Sequence, residues 1–148
     1  MILRPCRPED FPALWKIDQA CFPPGIAYQL QDLLHWMRQP GAFAIVAEDE
    51  RSGRIAGFTL ARTVRHRQGH IVTIDVLPEY RRMGVATTLM ELAHTRLKES
   101  GATTVELETS VENAAGIAFY HKLGYQTADR LRRYYLNRLD AWRMTKEL

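Results

Sequence analysis

The stretch that decides the fold is Asp75–Ala86, DVLPEYRRMGVA, where an apolar segment gives way to a proline turn and then to a long helical pattern. The residues before the turn, 70–76, are rich in β-branched side chains and predict a strand. Residues 84–100 then predict a helix with one apolar stripe. The stripe consists of Val85, Leu89, Ala93 and Leu97.

The start of this helix is a candidate anion site. A helix N-terminus presents unpaired N–H groups and the positive end of the helix dipole. Arg81 and Arg82 add positive charge, while Gly84 and Ala86 leave the backbone open to close approach. The alternative is a solvated basic turn before an ordinary helix. The segment fits neither the dinucleotide-binding pattern G-x-G-x-x-G nor the P-loop pattern G-x-x-x-x-G-K-[ST].

The rest of the chain predicts an α/β fold in a single domain covering residues 1–148, because no repeat or linker divides the sequence. The predicted element order is β-α-α-β-β-β-α-β-α-β-β. The predicted strands are 2–6, 42–48, 54–63, 70–76, 103–109, 125–135 and 140–146, and the predicted helices are 8–21, 28–37, 84–100 and 113–123. The strand–helix–strand unit over 70–109 implies a central parallel pair inside a mostly antiparallel sheet flanked by helices.

Composition excludes several classes of protein. The chain has 148 residues, 46% of them hydrophobic and 25% charged, which is typical of a globular domain with its own core. No apolar run approaches ~18 residues, and the N-terminus has no signal-peptide core, so we expect neither a membrane span nor export. The formal charge of +3 permits an anionic ligand without indicating nucleic acid. Two cysteines in no metal or redox spacing favour the cytoplasm.

Other reactive side chains favour plain interpretations. His66 and His70 are four residues apart but lie in a loop and at a strand start, so no metal site is expected. The arginines between residues 51 and 67 indicate a solvated hairpin face, and no nucleic-acid contact is expected.

Two motifs give the chain a resemblance to a known family. The segment Arg81–Ala86 resembles the pyrophosphate loop [QR]-x-x-G-x-[GA] of the GNAT acetyltransferases, which bind acetyl-coenzyme A. A second segment, from Asn113 through Phe119-Tyr120 to Gly124-Tyr125, is similar to the motif that follows the next strand in this family. The element order agrees over almost the whole chain. The resemblance is strongest to the subgroup that acetylates protein N-termini, including ribosomal-protein alanine acetyltransferases.

The resemblance implies a set of cofactor-binding residues. The backbone of the strand end would extend the sheet with the pantetheine arm, the following turn and helix start would hold the pyrophosphate, and Asn113 would contact the cofactor arm besides capping its helix. Met83 stands where many members have a basic or polar side chain. The residues are Ile74, Asp75, Val76, Arg81, Arg82, Met83, Gly84, Val85, Ala86, Thr87 and Asn113.

Two residues are candidates for catalysis. From the residues alone, Glu108 is explained by a polar sheet face, in phase with Glu106, and Tyr120 by packing of a short helix. The resemblance assigns Glu108 as general base and Tyr120 as general acid, and Glu106 then becomes the solvated neighbour. Direct attack in a ternary complex is favoured, since Cys6 and Cys21 both precede the cofactor motif and no cysteine is expected near it.

The resemblance also suggests walls for the acceptor. The loop after the first helix and the loop between the last two strands form the peptide groove of the subgroup, which makes Phe22, Tyr28 and Tyr134 candidate substrate contacts. The alternative for all three is ordinary packing.

The sequence thus predicts an acetyl-coenzyme A-dependent N-acetyltransferase that acts on a primary amine, with a protein or peptide N-terminus as the favoured acceptor. A small amine such as an antibiotic or polyamine, or a protein lysine, remains an alternative acceptor. A non-catalytic acyl-coenzyme A sensor and an RNA-contacting module are alternatives of another class. We expect a cytoplasmic monomer or weak dimer.

Overall fold

The computed structural model describes all residues, 1–148, and contains one seven-stranded sheet and four α-helices. The element order is the predicted one. The strands are β1 (Ile2–Pro5), β2 (Ala42–Glu48), β3 (Ile55–Val64), β4 (Gln68–Val76), β5 (Thr104–Ser110), β6 (Gln126–Tyr135) and β7 (Leu139–Glu147). The helices are α1 (Phe11–Cys21), α2 (Leu30–Met37), α3 (Val85–Glu99) and α4 (Ala114–Lys122).

The sheet runs β1-β2-β3-β4-β5-β7-β6, and its one parallel pair is β4–β5, as predicted. This pair is short, because its register covers only Gln68–His70 against Thr104–Glu106. Beyond His70, β4 continues beside β3 while β5 continues beside β7. The two central strands therefore separate and leave an open fork in the middle of the sheet.

A β-bulge lies at this fork. In the β3–β4 register, Leu60 faces Thr73 and Ala61 faces Ile71, so Val72 has no partner. An extra residue in one strand changes which face its side chains point to and is common next to active sites.

The sheet separates two apolar cores, one on each face. On one face, α3 buries its predicted stripe of Val85, Leu89, Ala93 and Leu97 together with Tyr120 and Tyr125. On the other, Leu14 and Ile17 of α1 and Leu33 of α2 pack on β2 and β3. None of the four helices has the length and the apolar composition that a membrane-spanning segment requires.

The first two helices begin later than predicted. Residues 8–10 form a 3₁₀ turn before α1, where the Asp10 carboxylate accepts hydrogen bonds from the Arg7 N–H and the Arg4 guanidinium. The second helix begins at Leu30 rather than at Tyr28, because the Tyr28 N–H donates to Asp18 of α1 and the residue stays in the loop. Side chains distant in sequence thus compete with the helical pattern at both places.

Candidate active site

The fork between β4 and β5 opens into a cleft of ≈ 710 Å³. The cleft continues along the end of β4 to the start of α3 and is bounded by α4 on the opposite side. Ten of the eleven predicted cofactor residues line it: Ile74, Asp75, Val76, Arg81, Arg82, Gly84, Val85, Ala86, Thr87 and Asn113. The eleventh, Met83, is 63% exposed and does not line the cleft.

The turn into α3 has the geometry of an anion site. Arg82 has φ 62° and Gly84 has φ 79°, and a turn of this kind can direct successive N–H groups toward one point. The first main-chain hydrogen bond of α3 joins Thr88 N–H to the Gly84 carbonyl. The N–H groups of residues 85–87 consequently have no helical acceptor and lie at the cleft wall.

The side chains around this turn make the cleft cationic. Arg81, Arg82 and Lys122 line it, and its single carboxyl group, that of Asp75, is 1% exposed. The Arg81 Nε–H donates to the Val76 carbonyl at 2.9 Å, which anchors the start of the turn to the end of β4. A ligand with several negative charges would therefore meet no repelling negative charge on the cleft surface.

The edge of β4 offers two backbone positions to the cleft. Leu77 N–H donates to the Ala56 carbonyl, so the polar groups of residue 77 point toward β3. Because the direction alternates along a strand, Ile74 and Val76 turn their N–H and C=O groups away from β3 and toward the fork. Asp75, which lies between them, turns its N–H and C=O groups toward β3. Its main chain therefore does not face the cleft.

Asn113 caps α4 and keeps one hydrogen free. Its Oδ1 accepts from Gly116 N–H at 3.1 Å, and its Nδ2 donates to Thr109 Oγ1 at 3.1 Å. A Cβ at position 116 would overlap the Asn113 side chain, so the glycine makes room for this cap. The second Nδ2 hydrogen has no partner in the protein, which makes the cap compatible with a ligand contact.

A second, enclosed pocket of ≈ 60 Å³ lies next to the cleft and contains Glu108. The carboxylate contacts His70 Nε2 at 3.0 and 3.1 Å, and Tyr134 OH donates to it at 3.2 Å. Trp36 packs edge-on against His70 with 6.1 Å between the ring centroids. Glu106, by contrast, pairs with Arg143 at 2.8 Å and does not line either cavity.

Tyr120 lies at the boundary between the two cavities and lines both. Its ring packs edge-on against Tyr125, at 5.9 Å between centroids, and its hydroxyl has no hydrogen-bond partner in the protein. Burial raises the pKa of Tyr120 above its ordinary range. The phenol therefore stays protonated at neutral pH and can donate a proton or hydrogen bond.

The predicted wall residues Phe22, Tyr28 and Tyr134 all line the enclosed pocket. Phe22 and Tyr28 come from the α1–α2 loop, and Tyr134 comes from the end of β6. The two loops touch above the pocket, where a Cβ on Gly25 would overlap the Leu136 side chain. Residues of these two loops therefore form the wall of the pocket opposite Glu108.

The structure corrects the expectation about cysteines. Cys21 lines the cleft, and its Sγ–H donates to the Val76 carbonyl at 3.4 Å, although the residue is distant from the motif in sequence. Burial raises the pKa of Cys21 to about 11, so the group is a neutral thiol at neutral pH. A thiol is a poor nucleophile, and the position gives no support for an acyl-cysteine step.

Sequence reasoning missed two further residues of the site. His70 is within β4, not at its start, and its pairing with Glu106 in the parallel register places its side chain beside Glu108, two residues further along β5. Lys122, at the end of α4, adds the third cation of the cleft. Neither carries a local signal, because each depends on packing between separate elements. No group of three or more His, Cys, Asp or Glu side chains is arranged to hold a metal ion.

Comparison with known proteins supports this chemistry. The sequence model of the Acetyltransferase (GNAT) family matches residues 11–125. N-alpha-acetyltransferase 30 of Schizosaccharomyces pombe is 36% identical over 113 residues, which are 74% of this chain and 74% of that protein. An N-alpha-acetyltransferase of Saccharolobus solfataricus is 31% identical over 158 residues, covering 99% of this chain and 92% of that protein.

Solved structures of other N-acetyltransferases have a similar fold. The ribosomal-protein-S18-alanine N-acetyltransferase of Escherichia coli superposes with a TM-score of 0.85 and 26% identity, covering 99% of this chain and 92% of that one. Naa20 of Chaetomium thermophilum, solved with a bisubstrate analogue, gives a TM-score of 0.84 and 26% identity, covering 100% of this chain and 87% of that one.

Proposed function

The chain belongs to the GNAT acetyltransferase family and is an acetyl-coenzyme A-dependent N-acetyltransferase, and we propose that its acceptor is the N-terminal α-amine of a protein or peptide. Relatives that share 31% and 36% of their aligned residues are named N-alpha-acetyltransferases. The enclosed pocket at Glu108 is narrow and aromatic, as a site for the end of a chain should be.

The observation that carries the proposal is the junction of the two cavities. The enclosed pocket and the cationic cleft share Phe22, Ile74, Asn113 and Tyr120 as lining residues. A thioester that lies along β4 in the cleft would therefore end beside an amine held in the pocket at Glu108. Such an arrangement favours direct transfer between two bound substrates.

The cofactor would bind along the cleft from the turn to the fork. Its pyrophosphate would accept hydrogen bonds from the N–H groups at the start of α3, with Arg81, Arg82 and Lys122 supplying charge. The pantetheine arm would pair with the Ile74 C=O and the Val76 N–H, since the Val76 carbonyl already accepts from Arg81, and Asn113 would donate its remaining amide hydrogen.

Glu108 and Tyr120 would move the two protons of the reaction. Glu108 would accept a proton as the amine nitrogen bonds to the thioester carbon, directly or through a water. The Ile74 N–H, at the junction of the two cavities, would hydrogen-bond to the carbonyl oxygen as negative charge develops there. As the C–S bond breaks, Tyr120 would give its proton to the departing thiolate, leaving an amide and free coenzyme A.

An α-amine suits this site better than a lysine. At pH ~7.4, an α-amine of pKa ~7.8 is roughly a quarter neutral, whereas a lysine of pKa ~10.4 is about 0.1% neutral. For the α-amine, the base only has to accept the proton that is released after the neutral amine attacks. For a lysine, it would first have to deprotonate the ammonium group, which this site is not built to do. The pocket walls Phe22, Tyr28 and Tyr134 would surround the first residue of the substrate.

The experiment compares acceptors directly. Acetyl-coenzyme A turnover is measured against peptides with varied free N-termini, beside peptides that carry a blocked N-terminus and internal lysines, and beside polyamines. We expect turnover with a subset of the free N-termini and none with the blocked peptides. Turnover confined to lysine peptides or polyamines would overturn the proposed acceptor class.

A further inference from the structure

Two carboxyl groups that the mechanism does not use are buried together between α1 and β4. Asp18 is 0% exposed and Asp75 is 1% exposed. Asp18 lies in the last turn of α1, just before the loop that carries Phe22 and Tyr28, and Asp75 lies between the two β4 residues whose backbone faces the cleft. Two ionised carboxylates in such a place would be very unfavourable.

Their hydrogen bonds leave one oxygen of each group unpaired. Asp18 Oδ2 accepts from Tyr28 N–H at 2.6 Å, and Asp75 Oδ1 accepts from Thr73 Oγ1–H at 2.6 Å. Asp18 Oδ1 and Asp75 Oδ2 are buried and have no donor. The elements that carry them are in contact, since the Cys21 Sγ–H of α1 donates to the Val76 carbonyl of β4 at 3.4 Å, and each carboxyl group shifts the pKa of the other. One proton between them would satisfy both remaining oxygens.

The groups around the pair favour this single proton. Burial, and then the neighbouring Asp18, raises the pKa of Asp75 well above its ordinary range. The Arg81 guanidinium acts in the opposite direction and lowers the pKa of Asp75, but its effect is smaller than that of burial. The other titratable neighbours are the Cys21 thiol and the phenols of Tyr28 and Tyr120, whose pKa values are all raised by burial, so they are neutral at neutral pH.

We propose that Asp75 keeps a proton and donates it to Asp18 Oδ1, and that the two residues act as a positioning pair that fastens the acceptor loop to the cofactor strand. The resulting chain of hydrogen bonds runs from Thr73 through Asp75 and Asp18 to the Tyr28 main chain. It fixes the pocket wall at Tyr28 relative to the β4 edge. This role in placing the acceptor rests on the proposed function, whereas the shared proton does not.

A first test separates positioning of the acceptor from general stability. Asp18→Ala leaves the Tyr28 N–H without its acceptor, so we expect the KM for peptide to rise about tenfold with a smaller change in kcat. Asp18→Asn retains an oxygen for Tyr28, and its amide N–H can donate to Asp75 when Asp75 gives up its proton, so it should restore most of the loss. Asp32→Ala removes an exposed acid of α2 and is the matched control, with unchanged kinetics.

A second test measures the proton itself. Infrared spectroscopy at neutral pH should show the C=O band of a protonated carboxylic acid in the wild-type protein. Asp75→Asn should abolish this band, because the amide Nδ2–H then donates to Asp18 in place of the shared proton. Absence of the band from wild-type protein would overturn the proposal.

The pH dependence of stability gives a third measurement. A carboxyl whose pKa is raised on folding destabilises the fold increasingly as pH rises from its unfolded pKa of ~3.9 toward its folded pKa. Asp75→Asn has no such proton to lose. The Tm of the variant relative to wild type should therefore increase between about pH 4.5 and pH 8, and a constant Tm difference would contradict the shared proton.

The outcomes keep the two proposals apart. If the infrared band and the widening Tm difference are observed but no free N-terminus is acetylated, the pair is supported and the proposed acceptor is rejected. Acetylation of N-termini without the band would reject the pair alone. If Asp18→Ala does not fold, Asp18→Asn and Asp75→Asn still decide the question, because both keep every hydrogen bond of the pair.

Discussion

Tyr120→Phe distinguishes a catalytic phenol from a packed aromatic ring. The substitution retains the ring and its edge-on contact with Tyr125 at 5.9 Å. It removes a hydroxyl that has no hydrogen-bond partner in the protein, so the free energy of unfolding should change by well under ~1 kcal/mol. A general acid acts only as the thiolate departs, and its removal should lower kcat and kcat/KM together by roughly 10- to 10³-fold, or about 1.4–4 kcal/mol of activation free energy.

The assay follows release of the coenzyme A thiol at saturating acetyl-coenzyme A over a range of pH. Because burial raises the pKa of Tyr120, the wild-type rate should hold through neutral pH and decline only above the ordinary phenol range of ~10. The Tyr120→Phe variant should lack this decline. Tyr125→Phe is the control, since it loses a hydrogen bond of 2.6 Å to His94 Nε2 outside both cavities. It should cost about 1 kcal/mol of stability and leave turnover unchanged.

A Tyr120→Phe protein that turns over at the wild-type rate and keeps the same alkaline decline would refute the reasoning. In that case the ring belongs to the core, and a different donor or water protonates the thiolate.

Three more substitutions test the rest of the site. Glu108→Gln should lower kcat about 10²-fold or more with an unchanged Kd for acetyl-coenzyme A, while Glu106→Gln on the same strand face should lower it little; similar rates for both would return Glu108 to a structural role. Gly84→Leu should raise the calorimetric Kd for acetyl-coenzyme A at least tenfold, because the leucine side chain would enter the open cleft. Gly101→Leu is the control for backbone strain, because Gly101 also has a positive φ and open space around it, and this variant should bind acetyl-coenzyme A normally. His70→Ala should lower kcat about tenfold without weakening acetyl-coenzyme A, since Glu108 would lose the partner that orients it; an unaffected kcat would show that Tyr134 alone suffices.

The part of the site that could be predicted from sequence is the part that is contiguous in sequence. The cofactor cleft takes most of its lining from residues 74–87, where a strand end, a turn and a helix start carry local signals. The positive φ of Gly84 favours a residue without Cβ, and the sequence shows that residue directly. Met83 does not line the cleft, and this could not be foreseen, because no local rule determines which way a side chain of that turn points.

The part that could not be predicted depends on contacts between elements. The resemblance indicates Glu108 and Tyr134 separately, but nothing in the sequence places them together with His70. The three residues come from three different strands and meet beside the last pair of the parallel β4–β5 register. Cys21 is distant in sequence from the cofactor motif, yet the end of α1 packs against the end of β4. A polar residue on a strand looks the same in sequence whether it faces solvent or another polar side chain.

One feature of the sheet explains why both substrates meet where they do. The parallel pairing of β4 with β5 ends at His70 and Glu106, two residues before Glu108. Past that point the β4 backbone at Ile74 and Val76 lacks a partner strand, so an extended ligand can complete the sheet there. The same separation opens the space in which Glu108 faces the acceptor loop. A longer β4–β5 ladder would close the cofactor edge and bury Glu108 at once, so binding and proton transfer both depend on this fork remaining open.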